Sequence, residues 1–273
     1  MHVHAMYRGP RRGRRGGALR CSPQPKSTTE WQRVMPRLSI RDRFSLPRLH
    51  LFELEDQRWF PGPIRDAGTD FMRFVAEVAR PHLAVVPRLG RVLTDTGSQG
   101  ILDLCSGGAG PLMAIRDELA ANWCELPVTF TDKFPNRAAF EYVQRRSEGV
   151  VNYIEASVDA TAVPPHLPGF RTLFSGLHHF RPEVARQILQ DAVDQRQPIG
   201  VFEITKRDIL HVLGTLALPL VLIVLIPFIR PFRWSRLFWT YILPVVPVFV
   251  TWDAFVSCLR SYSVKELREM VDG

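Results

Sequence analysis

Short apolar runs alternate with amphipathic stretches through the middle of the chain. The apolar runs predict strands at 100–104, 127–131, 150–155, 170–175 and 198–204. Between several of them, apolar residues recur at helical spacing and predict helices over 111–123, 135–147 and 182–196. Strands that alternate with helices of this length are typical of βαβ units. The pattern therefore predicts an α/β fold with a doubly wound, mostly parallel, Rossmann-like sheet.

Helical patterns flank this core on both sides. Before it, Phe71, Phe74, Val75 and Val78 fall at helical spacing and predict a capping helix that Pro81 ends. After it, Ser263 and Glu266 form a capping-box pattern that predicts a last helix. No further strand follows, so we expect a sheet of five strands with an uncovered edge.

A long apolar insertion interrupts the alternation at 209–252. Its first part, 209–229, has no formally charged side chain, and its second part, 237–252, is nearly as apolar. The first part is long enough to span a bilayer, but prolines interrupt both parts. We expect a hairpin that lies in the membrane interface, with the arginines of the connecting RPFRWSR against anionic lipid. A true span and a buried or substrate-covering insertion are the alternatives.

The positive charge of the chain is concentrated at the N-terminus. The formal net charge is +8, yet the first fifty residues carry twelve Lys or Arg against Glu30 and Asp42. The remaining residues are therefore slightly acidic, which argues against nucleic acid binding by the folded domain. We predict a disordered basic tail over 1–48 and one domain over 49–273. An RNA-contacting arm, a transit-type peptide and an upstream extension are alternatives for the tail.

The sequence ILDLCSGGAGP at 101–111 carries the most specific chemical signal. A glycine-rich loop after a central strand lets the backbone approach a nucleotide-like ligand. The loop lacks both GxGxxG and a P-loop GK[ST], and it begins beside a carboxylate, Asp103, which suits a cationic nucleoside. Asp132, after the second strand, can accept both ribose hydroxyls, and Asp159, after the third, can border an adenine. These residues predict S-adenosylmethionine as the cofactor.

The motifs ILDLCSGGAGP, TFTDKF, ASVDAT and LFSGLHHF, in this order, resemble those of class I S-adenosylmethionine-dependent methyltransferases. FELEDQRWFP, TDFMRF and WDAFVSCLRSYSVKEL are similar to a little-characterised bacterial branch of that family. The resemblance implies that Asp103 and the loop hold the methionine end, Asp132 the ribose and Asp159 the adenine edge. The predicted cofactor-binding residues are thus Asp103, Leu104, Cys105, Ser106, Gly107, Gly108, Gly110, Asp132 and Asp159. Ala109 stands where such loops commonly have glycine, and its methyl group would crowd the cofactor if the residue needs a positive φ. The family's sheet normally ends with a C-terminal antiparallel strand pair, which is missing here, so the resemblance implies truncation or completion of the sheet by an oligomer.

Three residues at the ends of the fourth and fifth strands are candidates for catalysis. His178 and His179 lie where a general base or a substrate contact belongs, with strand-end packing as the alternative. Glu203 can bind an acceptor hydroxyl or amine, or pair with Lys206 or Arg207. Cys105 is expected to pack under the loop. The four cysteines are scattered without metal spacing, so we predict no metal site and a reducing cytosol.

Together these features predict methyl transfer from S-adenosylmethionine to an apolar small molecule or lipid-like acceptor. The protein is then expected in the cytoplasm, peripheral to or embedded in the inner leaflet of the membrane. One alternative is a cofactor-binding or membrane-associated module without turnover, because of the missing strands. Another is an RNA methyltransferase that uses the Arg-rich tail. The oligomeric state and the acceptor atom stay open.

Overall fold

A computed structural model describes residues 2–7, 46–122, 126–147 and 149–272. Its centre is a sheet of strands β1 to β6, with bounds His2–Tyr7, Ile101–Leu104, Val128–Phe130, Val151–Tyr153, Phe170–Phe174 and Ile199–Glu203. The strand order is β1-β6-β5-β2-β3-β4. Strands β2 to β6 are mutually parallel. The five predicted strands and the doubly wound α/β class are confirmed.

The sixth strand corrects two expectations. His2–Tyr7 pairs antiparallel with β6, with Tyr7 opposite Ile199. The edge of β6 is therefore covered, whereas the sequence pattern left it open. The expectation of disorder over 1–48 is wrong for residues 2–7; residues 8–45 of that tail lie outside the described residues.

Ten α-helices are described, and most surround the sheet. In chain order α1 to α10, their bounds are Gly62–Ala79, Val86–Thr96, Leu112–Asn122, Arg137–Arg146, Pro182–Asp194, Ile209–Gly214, Leu218–Leu225, Trp234–Leu237, Val245–Arg260 and Val264–Asp272. The three helices predicted between the strands correspond to α3, α4 and α5. Helix α10 begins as predicted, since Ser263 Oγ accepts the amide of Glu266 and the Glu266 carboxylate accepts that of Ser263.

The alternation of side chains along the strands produces two core layers. Ile101 of β2 packs in one layer with residues of α2, α3 and α4. Leu102 and Leu104 face the opposite way and pack in the other layer with residues of α5 and α10. The sheet therefore has helices on both faces, and its strand ends are left to form a site.

A third apolar cluster joins α1 to the insertion. Phe71 of α1, Leu222 of α7 and Phe249 of α9 lie in this cluster. Helix α1 follows the predicted pattern at Phe71, but Val78 is 68% exposed and does not belong to the packed face. The helical stretch Ile209–Phe228 is long and apolar enough to cross a membrane, with a mean hydropathy of 2.7. The stretches Trp234–Ile242 and Val245–Arg260 form a second apolar pair bent by 84°.

Candidate functional site

The site lies at the point where the order of the sheet reverses. Strand β2 is followed in the chain by β3 and β4 on one side, and then by β5 on its other side. In doubly wound sheets, ligands bind outside the carboxyl ends of the strands at this switch point. The glycine loop follows β2, and the turn Leu177–His179 follows β5, so the two predicted parts of the site lie next to each other.

The glycine loop folds through four residues with positive φ. They are Cys105, Gly107, Ala109 and Gly110, with φ between 42° and 75°. Ala109 is fully buried and its methyl group packs in the core layer with Leu112 and Ile115. The methyl group of Ala109 therefore lies in the core, where it fills space. It does not crowd the ligand side of the loop, as the sequence had suggested.

Helix α1 packs directly against the loop. A Cβ atom at Gly108 would lie 2.6 Å from the carbonyl oxygen of Thr69, a distance that no side chain tolerates. Gly107 also faces Thr69, although a Cβ atom there would have room at 3.6 Å. The need for glycine at Gly108 thus comes from the close approach of α1, which covers the loop.

Asp103 lies inside the sheet and not on the surface of the loop. Its carboxylate is 1% exposed and its Oδ1 accepts a hydrogen bond from Thr172 Oγ1 at 2.5 Å. Burial raises the pKa of Asp103 to about 7. Ser106 also holds the loop in place, because its hydroxyl donates to the Asp103 carbonyl and accepts the Thr131 amide. Leu104 is buried in the core, so only its backbone can face a ligand.

Asp132 joins the second strand end to the loop. Its Oδ2 accepts the amide of Gly107 at 2.7 Å, and its Oδ1 accepts that of Phe134 at 2.7 Å. Burial raises the pKa of Asp132, while both amides oppose that shift. Each oxygen keeps a lone pair free for a further donor, such as a ribose hydroxyl.

Asp159 occupies the rim of the same groove. Burial disfavours its charge, but hydrogen bonds from Lys133 and Thr161 lower the pKa of Asp159 to about 2. The side chain is 42% exposed and pairs with Lys133 Nζ at 2.9 Å. It is therefore an ionised, accessible group beside Asp132.

Cys105 connects the loop to the histidine turn. A Cβ atom at Gly176, which precedes the turn, would lie 3.1 Å from the Cβ of Cys105. Burial raises the pKa of the Cys105 thiol well above its usual value. A protonated, packed thiol is a poor nucleophile, in line with the packing role expected for it.

His178 and Glu203 form a buried pair. His178 Nδ1 lies 2.8 Å from Glu203 Oε2, and the other oxygen of Glu203 accepts the amides of Leu177 and His178. Glu203 is 1% exposed. Its partners are thus the histidine turn and not Lys206 or Arg207; Arg207 pairs with Glu266. Glu203 positions the turn.

His179 lies among carboxylates from a segment distant in the chain. Its Nδ1 is 2.5 Å from Glu53 Oε2 and 3.0 Å from Asp56 Oδ1, and its Nε2 is 3.4 Å from Glu55 Oε1. Burial disfavours its charge, but Glu53 and Asp56 raise the pKa of His179 well above its usual value. His179 is therefore an imidazolium near neutral pH. Burial also raises the pKa of Glu55 to about 8.

Helix α9 holds this acidic segment in place. Asp253 accepts the amides of Leu54 and Glu55 at 2.8 and 2.9 Å. One turn on, Ser257 Oγ donates to Glu53. Arg260, a further turn on, pairs with Glu53 and Asp56 and donates to the His179 carbonyl. These residues share one helix face.

Sequence reasoning assigned no site role to Glu53, Glu55, Asp56 or Arg260. The available signal was that FELEDQRWFP and WDAFVSCLRSYSVKEL both carry the family resemblance, and polar residues of these two segments contact each other in the structure. The prediction of no metal ligands rested on spacing alone. Among the described residues, Glu53, His178 and His179 place potential ligand atoms within 4.8 Å of one another and could hold a metal ion. Glu53 already neutralises Arg260 at 2.9 Å, and that guanidinium would repel a cation there.

Two cavities lie near helix α9, and the polar one is lined by Asp56 and Arg260, which contact His179. A polar one of about 390 Å³ is lined by residues that include His50, Phe52, Asp56, Arg181 and Arg260. An apolar one of about 360 Å³ lies between α7 and α9, and residues that line it include Leu216, Pro219, Val248, Trp252 and Phe255. The rings of Phe52 and Trp252 are 5.5 Å apart, so the two cavities adjoin.

Comparisons with known proteins add little to this description. No family model and no curated protein matches the chain. The solved structure "PigF with SAH" is similar to 50% of this chain and 40% of that chain, at 22% identity and a TM-score of 0.35. The match thus spans less than half of PigF, and an overlap of that extent carries no argument about function.

Proposed function

We propose that this protein is an S-adenosylmethionine-dependent methyltransferase. The observation that carries the proposal is the glycine loop at the switch point, closed by Asp132 and bordered by Asp159. This arrangement offers the loop backbone and two carboxylates to a ribose and an adenine. Lys133, at the same groove, is paired with Asp159. Asp103, beneath the loop, supports it through Thr172 and Ser106.

The histidine turn faces the methyl group in this proposal. Methyl transfer is an in-line displacement in which an acceptor lone pair forms the new bond to the methyl carbon and the sulfonium leaves as a neutral thioether. Most of the rate enhancement then comes from positioning. A hydroxyl or protonated amine acceptor also has to lose a proton.

Glu55 is the group best placed to take that proton. One oxygen of Glu203 accepts two amides of the turn and the other bonds to the His178 ring, and His179 is already protonated. The pKa of Glu55, raised by burial, lies near the operating pH, where a general base is most effective. His179, 3.4 Å from Glu55, stabilises the carboxylate before transfer.

The adjoining cavities favour an acceptor with an apolar body. Its polar group would lie in the cavity of Asp56 and Arg260, next to His179, and its apolar part between Leu216 and Trp252. A lipid-like or small apolar molecule with one reactive polar end fits this division.

Calorimetric titration of S-adenosylmethionine into the detergent-solubilised chain tests the proposal. We expect micromolar binding that Asp132→Ala weakens by roughly 10- to 100-fold, because a carboxylate that accepts ribose hydroxyls makes charge-assisted hydrogen bonds. Asp194→Ala, at an exposed position on α5, is the matched control and should bind as the unmodified chain does. Absence of binding by a folded protein, or equal binding by both variants, would overturn the proposal.

A further inference from the structure

The insertion leaves a large apolar surface in contact with solvent. We call this surface the apolar face; it consists of the outward side chains between residues 209 and 248. Leu210, Leu220 and Trp234 on it are 75, 72 and 77% exposed. Only 17% of an 18-residue stretch within Ile209–Phe228 is buried inside the protein. A contiguous exposed apolar surface of this kind marks an interaction site.

The exposure around α7 indicates which kind of partner covers the face. Leu222 points into the protein, whereas Leu220, Val221, Ile223 and Val224 are all exposed. At 100° per residue, these four side chains cover about half of the helix perimeter. A folded protein partner contacts one stripe of a helix, but fluid acyl chains surround whatever side is offered.

Both ends of the apolar helix are anchored to the same domain. At one end, Asp208 caps α6 directly after β6. At the other end, Arg73 of α1 donates to the carbonyl of Arg230, and Arg236 pairs with the buried Asp70. A helix that spans a bilayer has its ends on opposite sides, so this attachment is incompatible with a span.

The connecting arginines also differ from the sequence expectation. Arg233 pairs with Asp66 and Arg236 with Asp70, so both are used inside the protein and not against lipid. Arg230 is exposed and lies over the ring of Phe232. The segment 209–252 contains no Asp, Glu or Lys, so nothing within it repels an anionic headgroup.

We propose that the apolar face inserts into one leaflet of a phospholipid bilayer, with Ile209–Phe228 parallel to the membrane plane. Trp234 and Tyr241 then lie at headgroup depth, where aromatic residues with a polar edge are favoured. The apolar cavity beside Leu216 and Val248 belongs to the same face.

Flotation of the full chain with vesicles tests the docking. The probes are vesicles of phosphatidylcholine alone and vesicles with about a third phosphatidylglycerol. We expect the chain to float with both, and Leu220→Glu with Val224→Glu to lower the bound fraction at least tenfold. Val271→Glu, at an exposed apolar position on α10, is the matched control and should float as before. Circular dichroism establishes that each variant is folded.

A depth measurement separates in-plane docking from a span. Nitroxide labels at Leu213→Cys, Leu220→Cys and Phe228→Cys should report one shallow depth in the leaflet. A depth that is greatest at the middle position would overturn the proposal in favour of a span. The proposal is also overturned if the unmodified chain fails to float with the vesicles. This includes the case in which the chain forms a dimer that buries the apolar face. These measurements need no cofactor, so they fail or succeed independently of the proposed methyltransferase activity.

Discussion

At the scale of single residues, burial sets the protonation of the acids around the site. Asp103 and Asp253 are removed from water and Glu55 is partly buried, and burial raises the pKa values of these three acids to about 7, 7 and 8. Glu53 is as deeply buried, yet His179 and Arg260 lower its pKa to about 2. Neighbouring charge, and not depth alone, decides which carboxyl is ionised.

Asp103 gives a testable dependence of stability on pH. Its pKa is about 7 in the folded state and about 3.9 in an unfolded chain, so between these values the folded state holds a proton that the unfolded state has lost. The contribution of Asp103 to the free energy of unfolding therefore falls as pH rises from about 4 to 7, by on the order of 3 kcal/mol. Asp103→Asn keeps an oxygen for Thr172 and should remove this fall. Denaturant unfolding across that pH range measures it.

The control for this prediction is Asp194→Asn, which is exposed on α5. It should leave the pH profile of stability unchanged. A profile for Asp103→Asn parallel to that of the unmodified chain would contradict the raised pKa.

Residue types alone could identify part of this site. Asp132 and Asp159 follow predicted strands, so the sequence predicted that they lie at the carboxyl ends of those strands. The bond from Thr172 to Asp103 could not be predicted, because it joins strands whose register is set by the folded sheet. The carboxylates around His179 were missed for a similar reason, since Glu53 and Asp56 come from a segment without regular structure.

At the scale of elements, α9 has two functions at two positions along one face. Phe249 and Val250, nearer its start, pack in the third apolar cluster. Asp253, Ser257 and Arg260, nearer its end, contact the acidic segment. The apolar pattern of 237–252 predicted a segment that either contacts a membrane or is buried in the protein. The polar stripe of α9 that follows this segment was visible only in the folded structure.

Removal of the Asp253 carboxylate should loosen the acidic segment. Asp253→Ala leaves the amides of Leu54 and Glu55 without their acceptors, which costs about 2 to 4 kcal/mol of unfolding free energy. We also expect faster hydrogen exchange over residues 52–57, measured by mass spectrometry. Thr251→Ala is the control on the same helix, because its hydroxyl bonds only to Pro247 in α9. Equal exchange in the two variants would contradict the role of α9.

At the scale of the whole molecule, β1 completes the sheet from the far end of the sequence. The predicted strands and helices account for the doubly wound core because hydrophobic periodicity follows local structure. Strand β1 was not predicted, since MHVHAMY is short and precedes an Arg- and Gly-rich stretch. Its pairing with β6 is a long-range contact that periodicity does not report.

Deletion of residues 2–7 should therefore uncover the edge of β6. An open edge exposes unpaired backbone groups and promotes association between chains. We expect a lower midpoint of thermal unfolding and a larger oligomer in light scattering of the detergent-solubilised chain. An unchanged midpoint and size would mean that β1 contributes nothing to the sheet.

The central claim is that the glycine loop and the neighbouring strand ends hold S-adenosylmethionine. The most direct test is hydrogen exchange of the full chain with and without the cofactor, followed by peptide. We expect slower exchange in peptides that cover 104–112 and 130–136, and no change in peptides from the apolar face. Protection confined to another region, or none at saturating cofactor, would contradict it.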